Sequence, residues 1–68
     1  MDDKTKELMA IAASVSAHCQ PCLLFHVTKA KELGISLNEI KEAITVGERV
    51  SKGAMSSMNT FIEEKFNS

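Results

Sequence analysis

The chain reads as an all-α domain, an antiparallel helical bundle of about four helices that assembles as a homo-oligomer. Three observations predict this. Apolar residues recur at helical spacing, β-branched runs are short, and Trp and Tyr are absent. No internal repeat, low-complexity tract or linker divides the 68 residues, so residues 1–68 form a single domain. A chain of this length buries only about 60% of the surface its unfolded form exposes, and oligomerisation is a usual source of added support.

The first helix is expected from Asp2 or Asp3 to Ser16, with its early acids at the positive end of the helix dipole. Leu8, Ile11, Ala12 and Val15 form one apolar stripe, and Met9, Ala10 and Ala13 make the other side nearly as apolar. A helix apolar on most faces is buried on most faces, which points to a second subunit. Pro21 marks the start of the second helix, since the first turn needs no donor from its nitrogen. That helix carries Cys22, Leu23, Phe25, His26, Val27 and Ala30 and stops at Gly34, a left-handed cap. Ser36 followed by Glu39 is a capping box that opens the third helix. Leu37, Ile40, Ala43, Ile44 and Val50 are expected to face inward, with Gly47 at a close helix contact. Gly53 is expected to break the chain before a fourth helix striped by Met55, Met58, Ile62 and Phe66, the two methionines reading as core filler.

Composition excludes several functions. Net charge is −1 with acids and bases mixed along the chain, so no electrostatic footprint for nucleic acid or an anionic membrane is present. The longest strongly apolar stretch, residues 8–17, is too short to span a bilayer and holds two serines. Met-Asp-Asp-Lys at the start has the wrong charge order for a signal peptide. The expected location is therefore the cytoplasm, where a cysteine pair is more often catalytic or metal-binding than structural. Two residues separate Cys19 from Cys22, so a bridge between them would restrict the unfolded chain very little.

The chemistry sits in Cys19-Gln20-Pro21-Cys22-Leu23-Leu24-Phe25-His26. A cysteine at a helix start sees unpaired backbone N–H groups and the dipole, both of which favour thiolate over thiol. The spacing lets the two sulfurs meet on the first turn, so a mixed disulfide at one can be resolved by the other. His26 lies four residues beyond Cys22 on the same face, where an imidazole can take a proton from a thiol and return it. Antiparallel packing of the first two helices leaves Glu7 opposite a later turn of the second, a geometry that permits a carboxylate to orient the imidazole without requiring it.

Glu7, Cys19, Cys22 and His26 at this spacing resemble the signature of the alkylhydroperoxidase D-like branch of the carboxymuconolactone decarboxylase family. Ser16-Ala17-His18 before the first cysteine agrees with it. So does Gly34-Ile35-Ser36-Leu37-Asn38-Glu39-Ile40-Lys41-Glu42-Ala43 downstream, and the resemblance covers about residues 6–58. It implies an all-helical antiparallel domain forming trimers or hexamers, with a redox-active cysteine pair that reduces peroxides or exchanges with a disulfide partner. A thiol or dithiol would serve as reductant, and no cofactor or metal is implied. By position, Cys22 would attack peroxide after deprotonation through His26 and Glu7, while Cys19, the more accessible sulfur, would close the disulfide and meet the reductant. Relatives with peroxidase activity commonly carry His directly before the second cysteine, where this chain has Pro21. Poorer proton supply at that position is the expected consequence.

Rival readings stand beside this one. Cys19 and Cys22 can be an inert pair on an apolar helix face. Together with His26 they can also be three ligands of a zinc or iron site, which needs a fourth from His18 or a symmetric neighbour. His26 can be a core histidine, Glu7 a solvated carboxylate paired with Lys4 or Lys6, and His18 an exposed turn residue without a role. Lactone decarboxylation, the other activity of the wider family, belongs to a branch that generally lacks the cysteine pair. A non-enzymatic assembly module is the remaining alternative.

Overall fold

The structure, a computed structural model, describes residues 1–67. It contains three helices: α1 (Asp3–Ser16), α2 (Gln20–Glu32) and α3 (Leu37–Phe66). No strand occurs among the described residues. α2 runs back along α1, and α3 runs parallel to α1 on its other side, so α1 lies between them and carries most of the packing.

The helix starts follow from side-chain caps. Asp2 accepts the Thr5 N–H at 2.7 Å, satisfying one of the first-turn donors that have no carbonyl inside the helix. That bond holds the Asp2 carboxyl below its usual 3.8. Ser36 Oγ accepts the Glu39 N–H at 3.2 Å, the first half of the expected capping box, and the Ser36 hydroxyl in turn donates to Glu39 Oε1. α1 and α2 both stop in Schellman turns. After α2, Gly34 at φ 79° donates to Lys31 O and Ile35 donates to Ala30 O, and both Ala30 and Ile35 are buried. After α1, His18 donates to Val15 O and Cys19 to Ser14 O, with His18 itself at φ 57°. Histidine is one of the few side chains that tolerates this left-handed backbone.

The core consists of Ile11, Ala30, Ile35, Ile40 and Ala43, with Leu8, Leu23, Val27, Leu33 and Ile44 packed around it. Ser14 is the buried polar residue, and its hydroxyl donates to Ala10 O at 2.7 Å. Gly47 is the contact expected of it. A Cβ there would lie 2.5 Å from Ala12 O and 2.7 Å from Val15 Cβ, so glycine lets α3 approach α1 at this crossing.

The expected break at Gly53 does not occur, and three helices replace the expected four. An interior glycine costs about 1 kcal/mol against alanine, a penalty a long helix can carry when nothing else redirects the chain. Gly53 does not have the positive φ of Gly34, and no proline follows it. α3 therefore continues to Phe66 and outruns its partners. Leu37 and Val50, expected to face inward, are exposed, as are Met55, Met58, Ile62 and Phe66. Leu37 and Val50 stand on the outward face of covered turns, whereas the other four lie on turns of α3 beyond the reach of α1 and α2. The molecule measures 51 × 20 × 19 Å with a radius of gyration of 15.0 Å, against about 11 Å for a compact chain of this length.

Candidate active site

Cys19 and Cys22 are joined by a disulfide, their Cα atoms 5.3 Å apart. The Schellman turn after α1 delivers Cys19 as the N-cap of α2, which places Pro21 at the second helical position and Cys22 at the third. The Cys19 side chain makes no capping hydrogen bond, because its sulfur is bonded to Cys22. The Cys19 carbonyl accepts the Leu23 N–H at 3.0 Å. Gln20 and Cys22 then carry first-turn N–H groups with no helix carbonyl behind them, and Pro21 carries none. Both sulfurs thus stand at the positive end of α2, where negative charge on sulfur is favoured.

One turn along the same face, His26 Nδ1 lies 2.8 Å from Glu7 Oε1. A carboxylate only accepts, so Nδ1–H is the donor. Nε2 of the neutral ring is then left with its lone pair, free to act as a base. This is how a carboxylate fixes the tautomer and aim of an imidazole. The antiparallel return of α2 along α1 makes the contact between residues 19 positions apart. The pair is partly shielded, with side chains 28% exposed for His26 and 17% for Glu7, and the edge of Phe25 meets the His26 ring at 5.1 Å between centroids. Glu7 accordingly pairs with His26 rather than with Lys4 or Lys6.

Two expectations are corrected. Within the single chain Cys22 is an exposed residue and Cys19 a half-buried one, the reverse of the order of accessibility expected. The turn after α1 tucks Cys19 in, while Cys22 lies on the outward part of the first turn of α2. His18 is exposed as expected but not idle: its Nε2 shares a 2.7 Å hydrogen bond with Ser51 Oγ, tying the turn before Cys19 to α3. The sequence signal for this was weak, a histidine at a helix end where left-handed backbone is tolerated. Beside Cys22, on the outer face of α2, Pro21, Leu24, Phe25 and Thr28 line a shallow, mainly apolar groove of about 430 Å³. Among the described residues, no group of three or more His, Cys, Asp or Glu is placed to hold a metal ion. No helix among them is long and apolar enough to cross a membrane.

Fold and site together define a small all-helical domain that carries a cysteine pair at a helix start and a carboxylate-oriented histidine one turn on. The carboxymuconolactone decarboxylase family model matches residues 1–59, and the chain belongs to that family. No curated protein and no solved structure matches it.

Proposed function

We propose that the chain is a thiol-dependent oxidoreductase that reduces hydroperoxides or exchanges with a disulfide partner. The observation that carries this reading is a Glu7–His26 hydrogen bond four residues beyond a Cys19–Cys22 bond at the start of α2, a spacing that sets His26 and Cys22 one turn apart. In the reduced protein, the Cys22 thiol gives its proton to His26 Nε2, and the thiolate attacks the outer oxygen of a hydroperoxide. The O–O bond breaks, the alkoxide takes a proton from His26 and leaves as an alcohol, and Cys22 becomes a sulfenic acid. Cys19 attacks that sulfur, which forms the disulfide and releases water. An external thiol or dithiol supplies two electrons and restores both cysteines. Against a disulfide substrate, the same thiolate attacks sulfur and Cys19 resolves the mixed disulfide. Such a cycle fits the cytoplasm, where bridges of this kind are transient. It also fits a trimeric or hexameric assembly, which would cover the exposed outer residues Met9 and Ala13 of α1.

Rapid mixing of reduced protein with an organic hydroperoxide, followed by thiol counting, tests the proposal. Both thiols should disappear with one equivalent of peroxide, and Cys22→Ser should abolish the fast phase. Two thiols surviving excess peroxide and excess oxidised dithiol would refute it. Lactone decarboxylation that persists in the Cys19→Ser/Cys22→Ser variant would assign the chain to the other branch of its family.

A further inference from the structure

His18 is the one non-glycine residue with left-handed backbone among the described residues, at φ 57°. Its Cβ makes that conformation costly, so it persists only where the surroundings over-determine it. Two backbone bonds lean on it, His18 N–H to Val15 O and Cys19 N–H to Ser14 O, each 3.0 Å, and they aim the chain from α1 into the N-cap of α2. The bond that grips residue 18 from outside comes from α3. Gly47 lets α3 close on Ala12 and Val15. Ser51, one turn further, then meets the turn that follows α1, with its Oγ 2.7 Å from His18 Nε2 across 33 positions of sequence.

We infer that the His18–Ser51 bond is a latch that positions the resolving sulfur: it keeps residue 18 left-handed, and so holds Cys19 within bonding reach of Cys22 when both cysteines are reduced. The inference rests on the dithiol reading and names the residues that govern how readily its bond closes. In the oxidised chain the Cys19–Cys22 bond itself fixes Cys19. In the reduced chain that constraint is gone. Without the latch, residue 18 relaxes toward right-handed or extended backbone and the Cys19 N–H leaves Ser14 O. The sulfur then gains freedom that closing the bond must remove again. Closure is the step concerned: the Cys19 sulfur attacks the Cys22 sulfenic acid, the S–O bond breaks, and the hydroxyl leaves as water with the proton of the Cys19 thiol. The earlier attack on peroxide, at Cys22 and His26, takes place on α2 itself and does not use the turn. His18 and Ser51 act through Cys19 and are positioning residues.

Equilibrating the full chain with mixtures of reduced and oxidised glutathione, read by thiol alkylation and mass, tests this. Ser51→Ala should lower the equilibrium constant for the Cys19–Cys22 bond about two- to tenfold, the effect of losing one hydrogen bond. Ser51→Thr, which keeps the hydroxyl, should hold the wild-type value, and Lys52→Ala beside it should change nothing. Adding Ser51→Ala to His18→Ala should lower the constant no further, because either change alone breaks the bond. With an organic hydroperoxide, Ser51→Ala should leave the fast oxidation of Cys22 at the wild-type rate while its sulfenic acid survives longer, trapped by dimedone. A glutathione equilibrium unmoved by Ser51→Ala, or additive losses in the double variant, would overturn the inference and leave the redox reading standing. A chain inert to peroxide whose glutathione equilibrium still shifts would count against peroxide reduction and support the latch. No Cys19–Cys22 bond at any glutathione ratio would overturn both.

Discussion

On the proposed reading His26 serves as a base, and Glu7, which accepts its Nδ1–H at 2.8 Å, is the group that fixes its tautomer. The two therefore predict different kinetic losses. General-base assistance is worth about 10²–10⁴ in rate, so His26→Ala should slow thiol oxidation by that order and shift the pH profile upward, because hydroxide must now supply the base. Glu7→Ala leaves the imidazole in place without its orienting partner and should give a smaller loss, with the ring's tautomer balance altered in nitrogen NMR spectra. Equal losses in both variants would mean that the pair acts as a structural unit. Asp2 makes a separate, pH-dependent contribution. Its carboxyl lies below 3.8 in the folded chain because it accepts the Thr5 N–H. The stabilisation is therefore fully present above that value and lost as pH falls through the folded pKa. Acid titration of Tm should show this decline in the wild type and a flatter curve in Asp2→Asn.

Helix boundaries depend on local chemistry, and most were legible for that reason. Asp2, Ser36 and Gly34 each satisfy backbone groups within one turn, so their effect needs no knowledge of the rest of the fold. Gly47 and Gly53 show where local reading ends. Both sit inside α3 and look alike in sequence, yet a Cβ at Gly47 strikes the Ala12 carbonyl while one at Gly53 meets nothing within 4 Å. Gly47→Ala must push α1 from α3 and should cost about 1–3 kcal/mol, the range for overpacking a close contact. Gly53→Ala lies in an uncovered helix interior and should stabilise by about 1 kcal/mol. Chemical denaturation of the two variants measures both, and the opposite signs are the expected outcome.

At the scale of the molecule, the disulfide is poorly placed to staple the fold. It links residues three apart, and the chain-entropy relation gives such a small loop no more than about 2 kcal/mol. Reduced and oxidised chains should therefore both unfold cooperatively, with reduction lowering Tm by no more than about 16 °C. Unfolding on reduction would show that the bond is structural. The remaining stability has to come from a thin core around α1, since much of the 30-residue α3 extends beyond its partners.

From the sequence alone came the all-helical class, the caps, the cysteine spacing at a helix start and the family, because each is written in residues within a few turns of one another. Tertiary structure decided that Glu7 reaches His26, that His18 binds Ser51, that Cys22 is the more exposed of the two cysteine residues and that α3 runs unbroken past Gly53. The first two are contacts between residues on different helices, set by the angle and depth at which those helices cross. The third follows from how the turn after α1 tucks Cys19 in, and the fourth from the lack of any left-handed turn or proline at Gly53.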